Sequence, residues 1–123
     1  MRVLLVEDDA LQRRLLRLRL AAAGLQVEEA ADGLAAWERL QAAPPEALLL
    51  DCALPGLGGL ALLERLHAAG GARPRTVLLS ARDDPAERER ALGLGALALM
   101  VKPPPMDQLL LLLRAPAAAG GAA

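Results

Sequence analysis

The sequence contains no phenylalanine and no tyrosine, and Trp37 is its only aromatic residue. No aromatic platform is available to stack on a nucleobase or a flavin, and the core must be aliphatic. There is one cysteine, Cys52, and one histidine, His67. A single cysteine excludes an intrachain disulfide, and the pair cannot supply the four ligands of a structural zinc site. Neither sign of charge is in excess: 14 Lys+Arg face 15 Asp+Glu, a formal −1. Nothing in that total points to nucleic acid or an anionic membrane as a partner. The longest apolar run, Ala91–Val101, has 11 residues and includes two glycines. A membrane span needs ~18. The N-terminal apolar run is short and ends in Glu7-Asp8-Asp9, unlike a signal peptide. The expectation is a cytoplasmic domain. Lysine is almost missing as well: Lys102 stands alone beside thirteen arginines.

What is present is an alternation of two periods. Short apolar runs at Val3–Val6, Leu25–Val27, Ala47–Leu50, Val77–Leu79 and Leu97–Val101 are each bounded by polar or turn residues. Helical patterns lie between them. In the first, Leu11, Leu15, Leu18 and Ala22 share one face, with Arg13, Arg14, Arg17 and Arg19 mostly on the others, and Gly24 stops the helix. Further helices are expected over Gly33–Ala43 and Gly59–Ala69, from Asp84-Pro85 onward, and over Met106–Arg114. Asp84 reads as a cap, Pro85 as the first helical residue and Glu87 as the far end of a capping-box analogue. A chain of 123 residues is one domain. Five β–α units with wholly apolar strands imply a parallel sheet covered on both faces. The doubly wound, flavodoxin-like order 2-1-3-4-5 suits five units. The domain is expected over residues 1–114. Residues 115–123, rich in alanine and glycine, read as a tail or the start of a linker.

Sites in such sheets form at the carboxyl ends of the strands. Those positions carry Glu7, Asp8 and Asp9, then Asp51, Ser80, and Lys102 with Pro103. Glu28 and Glu29 follow the second strand, which lies at the edge. Carboxylates brought that close repel one another unless a cation or proton joins them. Magnesium suits a few carboxylates, waters and a phosphate oxygen. A carboxylate can also attack phosphorus to give an aspartyl phosphate, with a metal, a lysine and a hydroxyl holding the transferring group. Each residue has a plainer reading: Glu7-Asp8-Asp9 as a helix cap, Ser80 as a turn cap, Lys102 as a surface lysine. Their joint placement favours chemistry.

These residues resemble the receiver domain of two-component response regulators. The matching segments, in order, are Val-Glu-Asp-Asp at 6–9, Leu-Leu-Leu-Asp at 48–51, Leu-Pro-Gly at 54–56, Leu-Leu-Ser-Ala at 78–81 and Val-Lys-Pro at 101–103. The resemblance implies that Asp51 is the phosphoacceptor. Magnesium, with manganese as a substitute, would be held by Asp8, Asp51, the Ala53 backbone carbonyl and, through water, Glu7. Ser80 and Lys102 would bind the phosphoryl group, Ser80 moving on activation. The Lys102–Pro103 bond would be cis. Asp9 would be a helix cap rather than a ligand. The implied partners are a histidine kinase or phosphotransfer protein, and an output domain or protein at the face formed by the fourth helix, fifth strand and fifth helix. A homodimer on phosphorylation is also implied, but no direct contact with nucleic acid or membrane.

Three departures accompany the match. The family's switch position, three residues before the lysine, is usually aromatic; here it is Leu99. Signalling would then need backbone or helix shifts. Gly95-Ala96-Leu97-Ala98 lacks the acidic pair used for dimerisation salt bridges in DNA-binding regulators. Pro104 and Pro105 follow Lys102-Pro103, and the last helix, Leu109 to Leu113, is apolar on all sides, so one face packs on the sheet and another is left for solvent or a partner. The alternative reading is a degenerate receiver acting as a constitutive interaction module. An aspartyl phosphatase would need a second acid where Ala53 stands, and a flavodoxin would need a phosphate loop in place of Glu7-Asp8-Asp9. His67 reads as a solvent-facing helix residue, Cys52 as a packing residue whose oxidation would interfere with Asp51, and Trp37 as a partly buried probe.

Overall fold

Each apolar run becomes a strand because both of its faces can be covered. The computed structural model describes residues 1–70 and 73–114. Within them the strands are β1 (Arg2–Val6), β2 (Gln26–Ala30), β3 (Ala47–Asp51), β4 (Arg75–Ser80) and β5 (Ala98–Val101). The helices are α1 (Ala10–Ala22), α2 (Gly33–Ala42), α3 (Gly59–Ala69), α4 (Pro85–Gly93) and α5 (Met106–Arg114). All strand pairs are parallel, in the order β2-β1-β3-β4-β5. This is the expected (βα)5 doubly wound sheet. The segment from 115 onward, read as a tail, lies outside the described residues.

Alternation along the strands separates two aliphatic cores. Leu4, Val6, Leu48, Leu50 and Leu78 face α2, α3 and α4, where Ala36, Leu40, Leu62, Leu63, Leu66 and Ala91 meet them. Val3, Leu5, Leu49, Val77 and Leu79 face α1 and α5, meeting Leu16, Leu20, Leu109 and Leu113. Asp9, Asp32 and Asp84 accept first-turn N–H bonds and start α1, α2 and α4. Gly24 and Gly95 follow the ends of α1 and α4 at φ of +93° and +99°, where a side chain is strained. No helix among the described residues is long and apolar enough to cross a membrane.

The structure corrects four readings. The buried face of α1 is Leu16 and Leu20, while Leu11, Leu15 and Leu18 are 50–67% exposed. Leucines occupy several faces of this helix, so its periodicity is degenerate. Arg13 sits on the inner side, where its guanidinium donates to the Glu7 carbonyl and to Glu29. That anchor sets the rotation of the helix. Second, Glu28 and Glu29 lie within β2 rather than after it. An edge strand tolerates them because Arg2 and Arg39 pair with Glu28, and Arg13 and Arg17 with Glu29. Third, β4 is longer than its apolar run, extending from Arg75 to include Ser80. Fourth, Glu87 does not turn back to cap α4; its carboxylate accepts from Ser80.

The rotation of α1 is testable. Leu20→Ala should cost about 2–5 kcal/mol in urea unfolding, whereas Leu15→Ala should stay within about 0.5 kcal/mol of the parent. The reverse ranking would contradict the observed face.

Candidate functional site

The candidate side chains converge because four neighbouring strands end together. Glu7 follows β1, Asp51 closes β3, Ser80 closes β4 and Lys102 follows β5. Register aligns Val6 with Leu50, Asp51 with Leu79 and Ser80 with Val101. Glu7, Asp51 and Ser80 are buried, and Asp8 is exposed at the rim.

Lys102 joins the acids. Its Nζ donates to Glu7 Oε1 at 2.8 Å, Asp51 Oδ2 at 2.9 Å and Gln12 Oε1 at 3.0 Å. An ammonium has three donors, and all three are used. Burial alone would lower the Lys102 pKa, but the Glu7 and Asp51 carboxylates outweigh it and hold the ammonium above its ordinary range. Glu7 moves the other way from most paired acids. Burial raises its pKa, and Lys102 and the Asp9 amide only partly offset this. The second oxygen of Glu7 accepts from the Asp9 N–H at 3.1 Å, and the second oxygen of Asp51 from the Ala53 N–H at 3.2 Å. No buried side-chain nitrogen or oxygen among the described residues lacks a partner.

One carboxylate oxygen from each of Glu7, Asp8 and Asp51 lies within 4.8 Å of the others. Such hard oxygen donors, carrying more negative charge than one lysine cancels, fit a divalent cation of the magnesium type. Asp9 stands apart from this group and caps α1 through the Gln12 N–H. Gly59 lies directly beneath Asp51, and a Cβ there would collide with the Asp51 carbonyl oxygen. The glycine lets α3 pack against the end of β3, with its N–H bonded to the Cys52 carbonyl at 3.2 Å.

Of the remaining candidates, Leu99 is buried in the core beside Leu78, Ala91 and Ala96. The Lys102–Pro103 peptide is cis. His67 is exposed and contacts Arg73. Trp37 is partly buried with Arg65 over its ring at 5.7 Å. The Cys52 thiol is pushed up to about 12 by burial and by the charges of Glu87 and Asp51. It stays protonated at neutral pH, which opposes the oxidation considered from sequence. Sequence reasoning missed Gln12 as a partner of Lys102 and Arg13 as an anchor of the β1 end. Gln12 is 90 residues from Lys102, so no local pattern could signal it.

Residues 3–114 match the response regulator receiver domain. The chain belongs to the response regulator receiver family. Among curated relatives, the response regulator MprA of Mycobacterium avium is 38% identical over 115 residues, covering 94% of this receiver and 50% of MprA. This chain therefore spans about half the length of the curated relatives it matches. Among solved structures, the Vibrio cholerae chemotaxis protein CheY4 is 26% identical at a TM-score of 0.79, covering 89% of this receiver and 92% of CheY4. The fold is also that of the Saccharomyces cerevisiae Ssk1 receiver, solved with the histidine phosphotransfer protein Ypd1, at 21% identity and a TM-score of 0.80, over 89% of this chain and 83% of that one.

Proposed function

We propose that this receiver is a phosphoacceptor switch of a two-component phosphorelay. A histidine kinase or histidine phosphotransfer protein supplies the phosphoryl group, as a phosphotransfer protein accompanies the Ssk1 receiver. The observation that carries the reading is Asp51, buried at a strand end and held by Lys102 at 2.9 Å beside Glu7 and Asp8.

Asp51 Oδ attacks phosphorus. The P–O bond to Asp51 forms as the P–N bond to the donor histidine breaks, and the electron pair returns to the imidazole nitrogen. Glu7, Asp8, Asp51 and the Ala53 carbonyl would hold magnesium, or manganese in its place, which when bound neutralises charge on the transferring group. Lys102 already touches Asp51 and stays charged, so it can follow the new phosphoryl oxygens without losing Glu7. Ser80 offers the hydroxyl proton from the next strand. Leu15, Leu16 and Arg19 of α1, with Pro103 and Pro104 beside Lys102, border an open groove of about 420 Å³ where the donor docks. Leu92, Leu97, Val101 and Leu111 are exposed on α4, β5, α5 and the loop between α4 and β5. These exposed apolar side chains are what the fourth helix, fifth strand and fifth helix would offer an output partner or a second copy.

The test is intact mass after incubation with acetyl phosphate, with and without magnesium. One phosphoryl group is expected only when magnesium is present. A folded protein that takes up none would favour the constitutive interaction module.

A further inference from the structure

Ser80 is buried at the end of β4, and its hydroxyl has a single proton to donate. That proton goes to α4. Ser80 Oγ lies 3.3 Å from Glu87 Oε1, and a carboxylate can only accept. The same oxygen accepts from the Arg82 N–H at 3.3 Å. Glu87 is half-buried in the first turn of α4, which is fixed by the Asp84 cap and an Arg88–Asp83 ion pair. The charge on Glu87 is also felt at Cys52, next to Asp51. Leu99, packed among aliphatic neighbours, offers no ring or polar group that could follow Ser80.

We propose that Glu87 is a positioning residue that holds the Ser80 hydroxyl in the unphosphorylated protein and releases it when Asp51 is phosphorylated, so that this bond carries the state of Asp51 to α4. The proposal rests on the phosphoacceptor reading above. Two acceptors share one proton only with both bonds weakened, so a phosphoryl oxygen gains the full Ser80 bond only if Glu87 loses it. A half-buried carboxylate then faces added negative charge without its partner. Glu87 swings outward, and the first turn of α4 moves with it towards the surface that carries Leu92 and Leu97. A coupling of this kind needs no aromatic ring at position 99.

The full chain is phosphorylated by acetyl phosphate with magnesium, and the rate of phosphoryl uptake is read by mass. Glu87→Ala should raise that rate roughly threefold to tenfold, because the hydroxyl is free and one repelling charge is gone. Glu87→Gln keeps an acceptor and should give a smaller rise. In a Ser80→Ala background, Glu87→Ala should give no more than Glu87→Gln does in the parent. Equal acceleration in both backgrounds would overturn the proposal. Amide hydrogen exchange in the unphosphorylated protein provides a second readout. Glu87→Ala and Ser80→Ala should each speed exchange in the first turn of α4, and the double variant should add nothing further. Additive effects would overturn the hold of Glu87 on Ser80. A parent that takes up no phosphoryl group overturns the phosphoacceptor reading and the release step with it. Hydrogen exchange then reports separately on the bond itself.

Discussion

Asp51→Asn is expected to abolish phosphoryl uptake from acetyl phosphate, a fall of ~10³-fold or more that takes the adduct below detection. The amide has no charge and cannot act as the attacking carboxylate. The fold should survive, because an asparagine oxygen can still accept from Lys102 Nζ, and Lys102 keeps Glu7 and Gln12. Circular dichroism of the variant should match the parent. Uptake by Asp51→Asn at the parent's rate would place the acceptor elsewhere.

Lys102→Ala is expected to have the largest effect on stability. Its removal leaves Glu7 and Asp51, both buried, facing each other without a cation. The loss should be about 2–4 kcal/mol at neutral pH in urea unfolding, the lower part of the range for breaking a buried pair, since the lysine retains some contact with water. Phosphoryl uptake should fall roughly 10²-fold. The pH dependence gives the sharper check. The pKa of Glu7 is raised above its ordinary 4.5, so its contribution to stability is present below that value and is lost as pH rises through the folded one. Without Lys102 the Glu7 pKa climbs further, and the variant keeps losing stability at pH values where the parent has levelled off. The gap between the two proteins should be small below 4.5 and widest near neutrality. Lys102 itself is raised above 10.5, so the pair's contribution is present below that pH and is lost as pH rises through the folded value. The gap should close again at the alkaline end. A gap that is flat with pH would mean that Lys102 stabilises the fold by packing rather than by pairing. Added magnesium should narrow the neutral-pH gap, because a divalent cation neutralises the same carboxylates.

Much of this was legible in the order of residues. Asp51 ends an unbroken apolar strand, and Lys102 is the one lysine of the chain; both stand where the strand ends of a parallel sheet must meet. Asp84-Pro85 announces the start of α4, and Asp9 caps α1, because caps are contacts over two or three residues. The Glu28-Glu29 pair shows the limit. Polar residues ended the predicted strand early, but an edge strand with arginines on both sides keeps them.

By itself, the sequence determined the alternation of strands and helices, the aliphatic character of the core and the acid, hydroxyl and lysine at the strand ends. These follow from periodicity and local chemistry. Only the tertiary structure decided which face of α1 is buried, since a helix with leucines all round has no unique stripe until Arg13 finds the Glu7 carbonyl and Glu29. It also decided that Gln12 completes the shell of Lys102 and that Glu87 accepts the hydrogen bond of the Ser80 hydroxyl. The Gln12 contact spans 90 residues, and the Glu87 contact joins a strand end to the next helix across a turn. In both cases the bond depends on where the fold leaves an unpaired donor, which no local pattern records.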